Sequence, residues 1–180
     1  METKGAVPST FRTYREETVD KFFGILFPLD GGLHLPVVFV RAPPLSGKSG
    51  LCDLLYNYIV DHRQDALVAQ ILANVMKPGE SLASLFNDHY GGTLQKFRTY
   101  KSDRAVLIDQ AQITYDDVWF WTGDVKNALD SRSPGLRFVL FSSYGSFDPY
   151  CSERCSGTPV EIPLGNTFGL NATESKPSLQ

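Results

Sequence analysis

Residues 36–51 read PVVFVRAPPLSGKSGL, and this stretch decides the fold. Its opening, Pro36-Val37-Val38-Phe39-Val40, is an apolar run too short for a helix, and such a run fits a strand buried on both faces. After the loop, Leu51, Leu54, Leu55, Tyr58 and Ile59 recur at helical spacing. A strand therefore feeds a loop that feeds a helix between Pro36 and Ile59, which is the first half of a βαβ unit.

The connecting loop, Ala42-Pro43-Pro44-Leu45-Ser46-Gly47-Lys48-Ser49, fits the phosphate-binding pattern G-x-x-x-x-G-K-[ST] (Walker A) with alanine in place of the first glycine. Backbone N–H groups converging at a helix N-terminus form an anion hole, because unpaired donors and the helix dipole both favour phosphate oxygens. The stretch expected to hold nucleotide is Pro44, Leu45, Ser46, Gly47, Lys48, Ser49 and Gly50, with the amides of Leu45 to Ser49 as the main donors. Lys48 is placed to contact the β- and γ-phosphates of ATP, and the Ser49 hydroxyl to hold Mg²⁺. Pro43 and Pro44 supply no N–H but sit in the early half of the loop. Ala42 cannot visit positive φ as cheaply as glycine, so the chain must pass it with ordinary angles. At ordinary residue frequencies the relaxed pattern arises by chance in roughly one chain of this length in a hundred. Requiring a buried strand before it and an amphipathic helix after it makes it rarer still.

A second buried run, Ala105-Val106-Leu107-Ile108, ends in Asp109. It lies 61 residues beyond Lys48 (109 − 48), the arrangement that brings a Walker B carboxylate to the nucleotide's Mg²⁺. In ATP hydrolases with an extra strand between the two motifs, a glutamate usually follows that aspartate and polarises water; here the residue is Gln110. A glutamine holds water by hydrogen bonds but cannot take its proton at neutral pH, so binding is expected to survive better than hydrolysis. Two rescues stay open: Gln110 or Gln112 orienting water as a glutamine does in small GTPases, or Asp116 or Asp117 reaching the site, although those aspartates also suit a helix N-terminus. A third buried run, Leu136 to Phe141, ends at Ser142-Ser143. If it lies between the other two, Ser142 or Ser143 would sense the γ-phosphate; a turn-capping hydroxyl is the alternative.

Composition sets the frame for these motifs. The chain has 180 residues, 42% hydrophobic and 21% charged, with a formal charge of −3, which is one ordinary globular domain. Its slight acidity argues against coating nucleic acid or anionic membrane through bulk charge, and three cysteines argue against a disulfide framework. The apolar stretch from Phe22 to Leu29 is short and preceded by Glu16, Glu17 and Asp20, unlike a signal peptide or membrane span. A soluble, intracellular product is expected, and the sequon Asn171-Ala172-Thr173 reads as chance.

The remaining segments divide the chain into a helical lead-in (1–35), a core (36–165) and a polar tail (166–180). Val19, Phe22, Phe23 and Leu26 predict an amphipathic helix, with Thr13 and Glu16 as a capping box and Pro28 ending it. Ala66 to Met76 reads as a strand, and Leu82, Leu85 and Phe86 as a short helix with Gly91 as a left-handed C-cap. Thr114 and Asp117 are spaced as a capping box for a helix with Val118, Trp121, Val125 and Leu129 on one face.

Thr93 to Arg104 holds Lys96, Arg98, Lys101 and Arg104 against Asp103 alone. These cations, with Phe97 and Tyr100 for stacking, suggest a nucleic-acid contact or a γ-phosphate finger, against the plainer reading of a solvated loop face. Cys151 and Cys155 lack the further ligands a zinc site needs, and His34, His62 and His89 belong to no triad. No Asn-Lys-x-Asp motif reads guanine, which favours ATP. No arginine pair suggests the lid of a small-molecule kinase.

The segments VVFVRAPPLSGKSGLCDLL, AVLIDQAQITYDDVWFW and LRFVLFSSYGS resemble the P-loop ATPase domain of Crinkler-type (CRN) effectors and their fungal relatives, over about Pro36 to Ser146 with a looser echo in Thr158 to Leu170. The resemblance implies a STAND- or AAA-like nucleotide domain of proteins delivered into host cells, many acting in the host nucleus; separately, an unknown protein partner is expected. The family typically has Asp-Glu where Asp109-Gln110 stand, so turnover does not carry over. Nor does nuclease activity, since no second catalytic domain is recognisable. The expected fold is a three-layer α/β P-loop NTPase with a mostly parallel sheet of about five strands in the order 5-1-4-3-2. The expected activity is Mg²⁺-dependent ATP binding, as a slow ATPase or nucleotide switch, or as a non-hydrolysing interaction module.

Overall fold

The apolar runs at 37–40, 105–108 and 136–141 all become strands, joined by a fourth from the segment whose composition was ambiguous. In the computed structural model, which describes residues 15–28, 35–130 and 135–143, these are β1 (Val37–Ala42), β2 (Leu67–Leu72), β3 (Arg104–Asp109) and β4 (Leu136–Ser143). All pairings are parallel, in the order β1-β4-β3-β2. Val40 lies opposite Phe141, and Ile108 lies opposite both Leu140 and Ile71. The sheet thus has four described strands instead of about five. The fifth strand expected beyond β1 is not among the described residues. The arrangement is compatible with a P-loop NTPase fold.

Helices separate the strands and cover both faces: α1 (Glu16–Leu26), α2 (Lys48–His62), α3 (Leu82–Tyr90), α4 (Leu94–Thr99) and α5 (Lys126–Leu129). Successive strand residues point to opposite faces, so each strand feeds two cores. On one face Val38, Val40, Ala105, Leu107, Val139 and Phe141 pack with α1 and α2 through Phe22, Leu26, Leu55 and Ile59. On the other, Phe39, Val106, Ile108, Phe138 and Leu140 pack with Leu82, Phe86, Leu94, Phe120 and Val125. The N-terminal helix therefore belongs to the same core as the strands.

Local signals account for most boundaries. Ser81 and Thr93 cap α3 and α4 by accepting from the amides of Ser84 and Lys96, and Gly91 ends α3 at φ 65°. Helix α1 begins at Glu16 with Arg15 in the capping position, and Thr13 lies outside the described residues. Within the segment Ala66–Met76, Leu67–Leu72 is strand and Ala73–Val75 a 3₁₀ turn. The middle residue of β2, Gln70, has its backbone N–H and C=O both bonded to the Tyr90 hydroxyl, at 2.7 and 2.8 Å.

The helix after β3 departs from the sequence expectation. Ala111–Asp116 is 3₁₀, and Thr114 and Asp117 form no capping box: the Thr114 hydroxyl donates back to Ala111. Asp117 itself caps the next helix, accepting from Phe120 N at 3.0 Å, and its other oxygen accepts from Leu82 N at 2.7 Å to hold the start of α3. Phe120–Val125 is then a π-helical turn. Its i to i+5 bonding widens the turn and rotates the buried face, so the expected stripe of Val118, Trp121, Val125 and Leu129 is broken. Phe120, Val125 and Ala128 are buried, whereas Val118 and Leu129 are exposed. Trp121 stays half-buried, stacked on Phe39, with its indole N–H on the Thr114 carbonyl at 2.8 Å.

Among the described residues no helix is long and apolar enough to cross a membrane. Cys151, Cys155, the sequon at Asn171 and the segment Thr158 to Leu170 lie outside the described residues.

Candidate functional site

The loop between β1 and α2 stands at the C-terminal end of the strands, where parallel sheets bind ligands. The strand continues through Ala42 without positive φ, as the alanine requires. The turn comes later: Leu45 has φ 61° and an entirely exposed side chain, and Gly47, at φ 80°, leads into α2. Glycine is favoured there by the positive φ; a β-carbon would lie 3.0 Å from a guanidinium nitrogen at the flexible end of Arg15, which would have to shift slightly. The Ser46 amide is turned back onto the Pro43 carbonyl at 3.3 Å and is not a free loop donor, contrary to its expected place in the cradle. Pro44, Gly47, Ser49 and Gly50 are exposed, and the first turn of α2 carries no acidic residue to offset its positive end.

Two cations brace this loop. Lys48 is buried, and its ammonium donates to the carbonyls of Ala42 at 3.0 Å and Pro43 at 2.7 Å and, more weakly, to the Ser46 hydroxyl at 3.4 Å. Burial pushes its pKa below the ordinary lysine value, against the opposing charge of Asp109. Arg15 comes from the N-cap of α1 and donates to Ser46 O at 2.8 Å and Gly47 O at 2.9 Å. Sequence reasoning missed Arg15 altogether.

Asp109 closes β3 and is buried. By strand alternation it lies on the α1–α2 face with Ala105 and Leu107, the face on which Lys48 and Cys52 sense its charge. Its Oδ1 accepts the N–H of Gln110 at 2.9 Å, which supports Gln110 in a left-handed conformation at φ 58°. A residue with a β-carbon pays about 1 kcal/mol for that conformation. Gln112 Nε2 lies 2.6 Å from Gln110 Oε1, and Gln112 Oε1 lies 3.4 Å from the backbone N of Ser143. The two glutamines and the end of β4 thus form one chain of contacts.

Ser142 and Ser143 separate. The pleat puts Ser142 on the face of Phe138 and Leu140, away from Asp109, with its hydroxyl buried and unpartnered among the described residues. Ser143 falls on the face of Val139 and Phe141, the Asp109 side. The strand-end serine that the sheet brings towards the loop is therefore Ser143.

The basic stretch does not assemble as expected. Arg98 is ion-paired with the mostly buried Asp124, whose carboxyl is raised by burial against the opposing charge of Arg98. Arg104 is buried, with a nitrogen on the Arg98 carbonyl at 2.8 Å, and Phe97 packs edge-on against Phe86. Only Lys96, Lys101 and Tyr100 remain on the surface, because half of the cationic stretch ties α4 to the core.

No family model matches the chain, and no curated protein does. Solved structures similar to it include the cytoplasmic domain of the Thermomonospora curvata type VII secretion ATPase EccC (TM-score 0.42, 14% identity, covering 64% of this chain and 18% of that one). Another is Drosophila ORC bound to DNA (TM-score 0.44, 12% identity, covering 74% of this chain and 38% of that one). The chain thus spans well under half of each.

Proposed function

We propose that the chain binds Mg²⁺-ATP in the loop between β1 and α2, with hydrolysis weakened at Gln110. One observation carries this reading: Lys48 and Asp109, distant in sequence, are both buried where β1 and β3 end on either side of β4, and the charge of Asp109 opposes the lowering of the Lys48 pKa by burial. Amides at the positive end of α2 and the Lys48 ammonium hold the phosphates, the ammonium exchanging neutral carbonyl partners for charged oxygens. Ser49 and the free oxygen of Asp109 support Mg²⁺. This donor set suits the ion, which is commonly held by one or two protein oxygens plus phosphates and water; among the described residues no group of three His, Cys, Asp or Glu could hold a metal. Bound Mg²⁺ neutralises phosphate charge, and the chain's own part is to hold and orient the triphosphate. The Crinkler-type effector role in a host nucleus rests on the sequence segments quoted above alone.

The direct test is equilibrium titration of the whole chain with fluorescent ATP and Mg²⁺. Lys48→Ala is expected to weaken binding roughly a hundredfold, the loss of charge-assisted bonds to phosphate. Equal binding by the native chain and the variant removes the assignment. A large gain in turnover on Gln110→Glu identifies the missing proton acceptor; brisk native turnover refutes the weakened-hydrolysis reading.

A further inference from the structure

We infer that Gln110 reads the terminal phosphate through its side-chain NH₂, the amide being held in that orientation by Gln112 and the end of β4. This rests on the nucleotide reading above and names the residue that would separate triphosphate from diphosphate at that site.

The inference follows from which groups can donate. The Ser143 backbone N–H is only a donor, so the Gln112 atom 3.4 Å from it must be the carbonyl oxygen. That choice turns the Gln112 NH₂ towards Gln110, and an NH₂ only donates, so the Gln110 atom 2.6 Å away must be its oxygen. Reversing either amide would set donor against donor or oxygen against oxygen. Both orientations are therefore fixed by one backbone amide, which removes the usual ambiguity of glutamine side chains. What remains of Gln110 is Nε2, which has no partner among the described residues. The backbone of Gln110 is pinned too, by its N–H on Asp109 Oδ1.

This orientation suits one role better than another. Orienting an attacking water calls for an acceptor turned to it, and the Gln110 oxygen is turned to Gln112, with one of its two lone pairs engaged there. A phosphate oxygen needs donors, and Gln110 offers two N–H bonds from the residue beside the proposed metal ligand. Gln112 acts through Gln110 and is a positioning residue. The relay ends on β4, the strand between β1 and β3.

The test titrates the whole chain, with Mg²⁺, against the β,γ-imido analogue of ATP and against ADP. The native chain is expected to prefer the triphosphate. Gln110→Leu is expected to weaken triphosphate binding about tenfold, the usual size of a lost hydrogen bond to a charged group, and to leave ADP binding as it was. Gln112→Glu supplies a carboxylate that must accept from Gln110, turning the Gln110 oxygen outwards, and is expected to erase the triphosphate preference. Gln112→Met, which removes the amide without adding charge, is expected to fall between native and Gln110→Leu, and native-like melting of each variant confirms folding. An unchanged triphosphate-to-diphosphate ratio in the folded variants overturns the relay and leaves the nucleotide site standing. Failure of the native chain to bind either nucleotide overturns both.

Discussion

At the N-terminal end of the strands, Asp103 lies between Arg63 at 2.7 Å and Arg137 at 2.8 Å, and both guanidiniums stand over the Phe27 ring within 5 Å of its centroid. At the C-terminal end, Arg15 and Lys48 donate to carbonyls and one hydroxyl. The same two kinds of group, a buried lysine or arginine and a strand-end aspartate, are thus used in opposite ways. The lower cations are neutralised by a carboxylate and stabilise the fold. The upper ones lean on neutral oxygens that an anion can replace at little cost, and Asp109 touches Lys48 only through its field. Where the partners are charged, the cations are committed; where they are carbonyls, the cations remain available.

The largest expected effect breaks the lower end. Asp103→Ala strands the buried Arg137 and is expected to cost about 3 kcal/mol in urea unfolding, the scale for removing one partner of a buried pair. Burial raises the Asp103 carboxyl, but the hydrogen bonds and charges of Arg137 and Arg63 outweigh it and hold the pKa below the ordinary value. A depressed acid pKa contributes stability above the unfolded value that is lost as pH falls through the folded one. Native protein should therefore lose stability more steeply than Asp103→Asn below about pH 4; parallel acid curves would remove the ion-pair account.

Breaking the upper end should barely affect folding. Arg15→Met is expected to leave the urea midpoint nearly unchanged and to weaken Mg²⁺-ATP binding by about 1 kcal/mol, through loss of the bonds that brace Ser46 and Gly47. A variant that unfolds early but binds normally would place Arg15 with the lower, structural cations. The smallest effect is at Lys96 and Lys101: alanine at either is expected to shift stability by less than about 0.5 kcal/mol. Single-stranded nucleic-acid binding that collapses in the double variant would restore the cationic stretch as an interface.

The parallel sheet was legible because buried strands announce themselves locally, by run length, and because Gly47-Lys48-Ser49 sits at the one junction where such a loop has meaning. The rest depended on information that local patterns do not hold. Arg15 meets Ser46 and Gly47 across 31 and 32 residues. The stripe through Val118 and Leu129 assumed a period of 3.6, and one π turn rotated it. Ser142 and Ser143 differ by one residue in a strand whose period is two, so the face of each was undetermined until β4 was in register with β1. The basic stretch looked solvated because its partner, Asp124, lies in another element and is buried.

The Tyr90 hydroxyl on Gln70 has a bearing on solubility. Among the described residues β2 is an outer strand of the sheet, and a sheet edge invites growth because each outward residue offers a donor and an acceptor to any extended chain that arrives. At the midpoint of β2 both are already engaged by one phenol from α3. An incoming strand would have to lift Tyr90 off before it could register, so this edge is guarded against self-templating by a side chain that competes as if it were backbone.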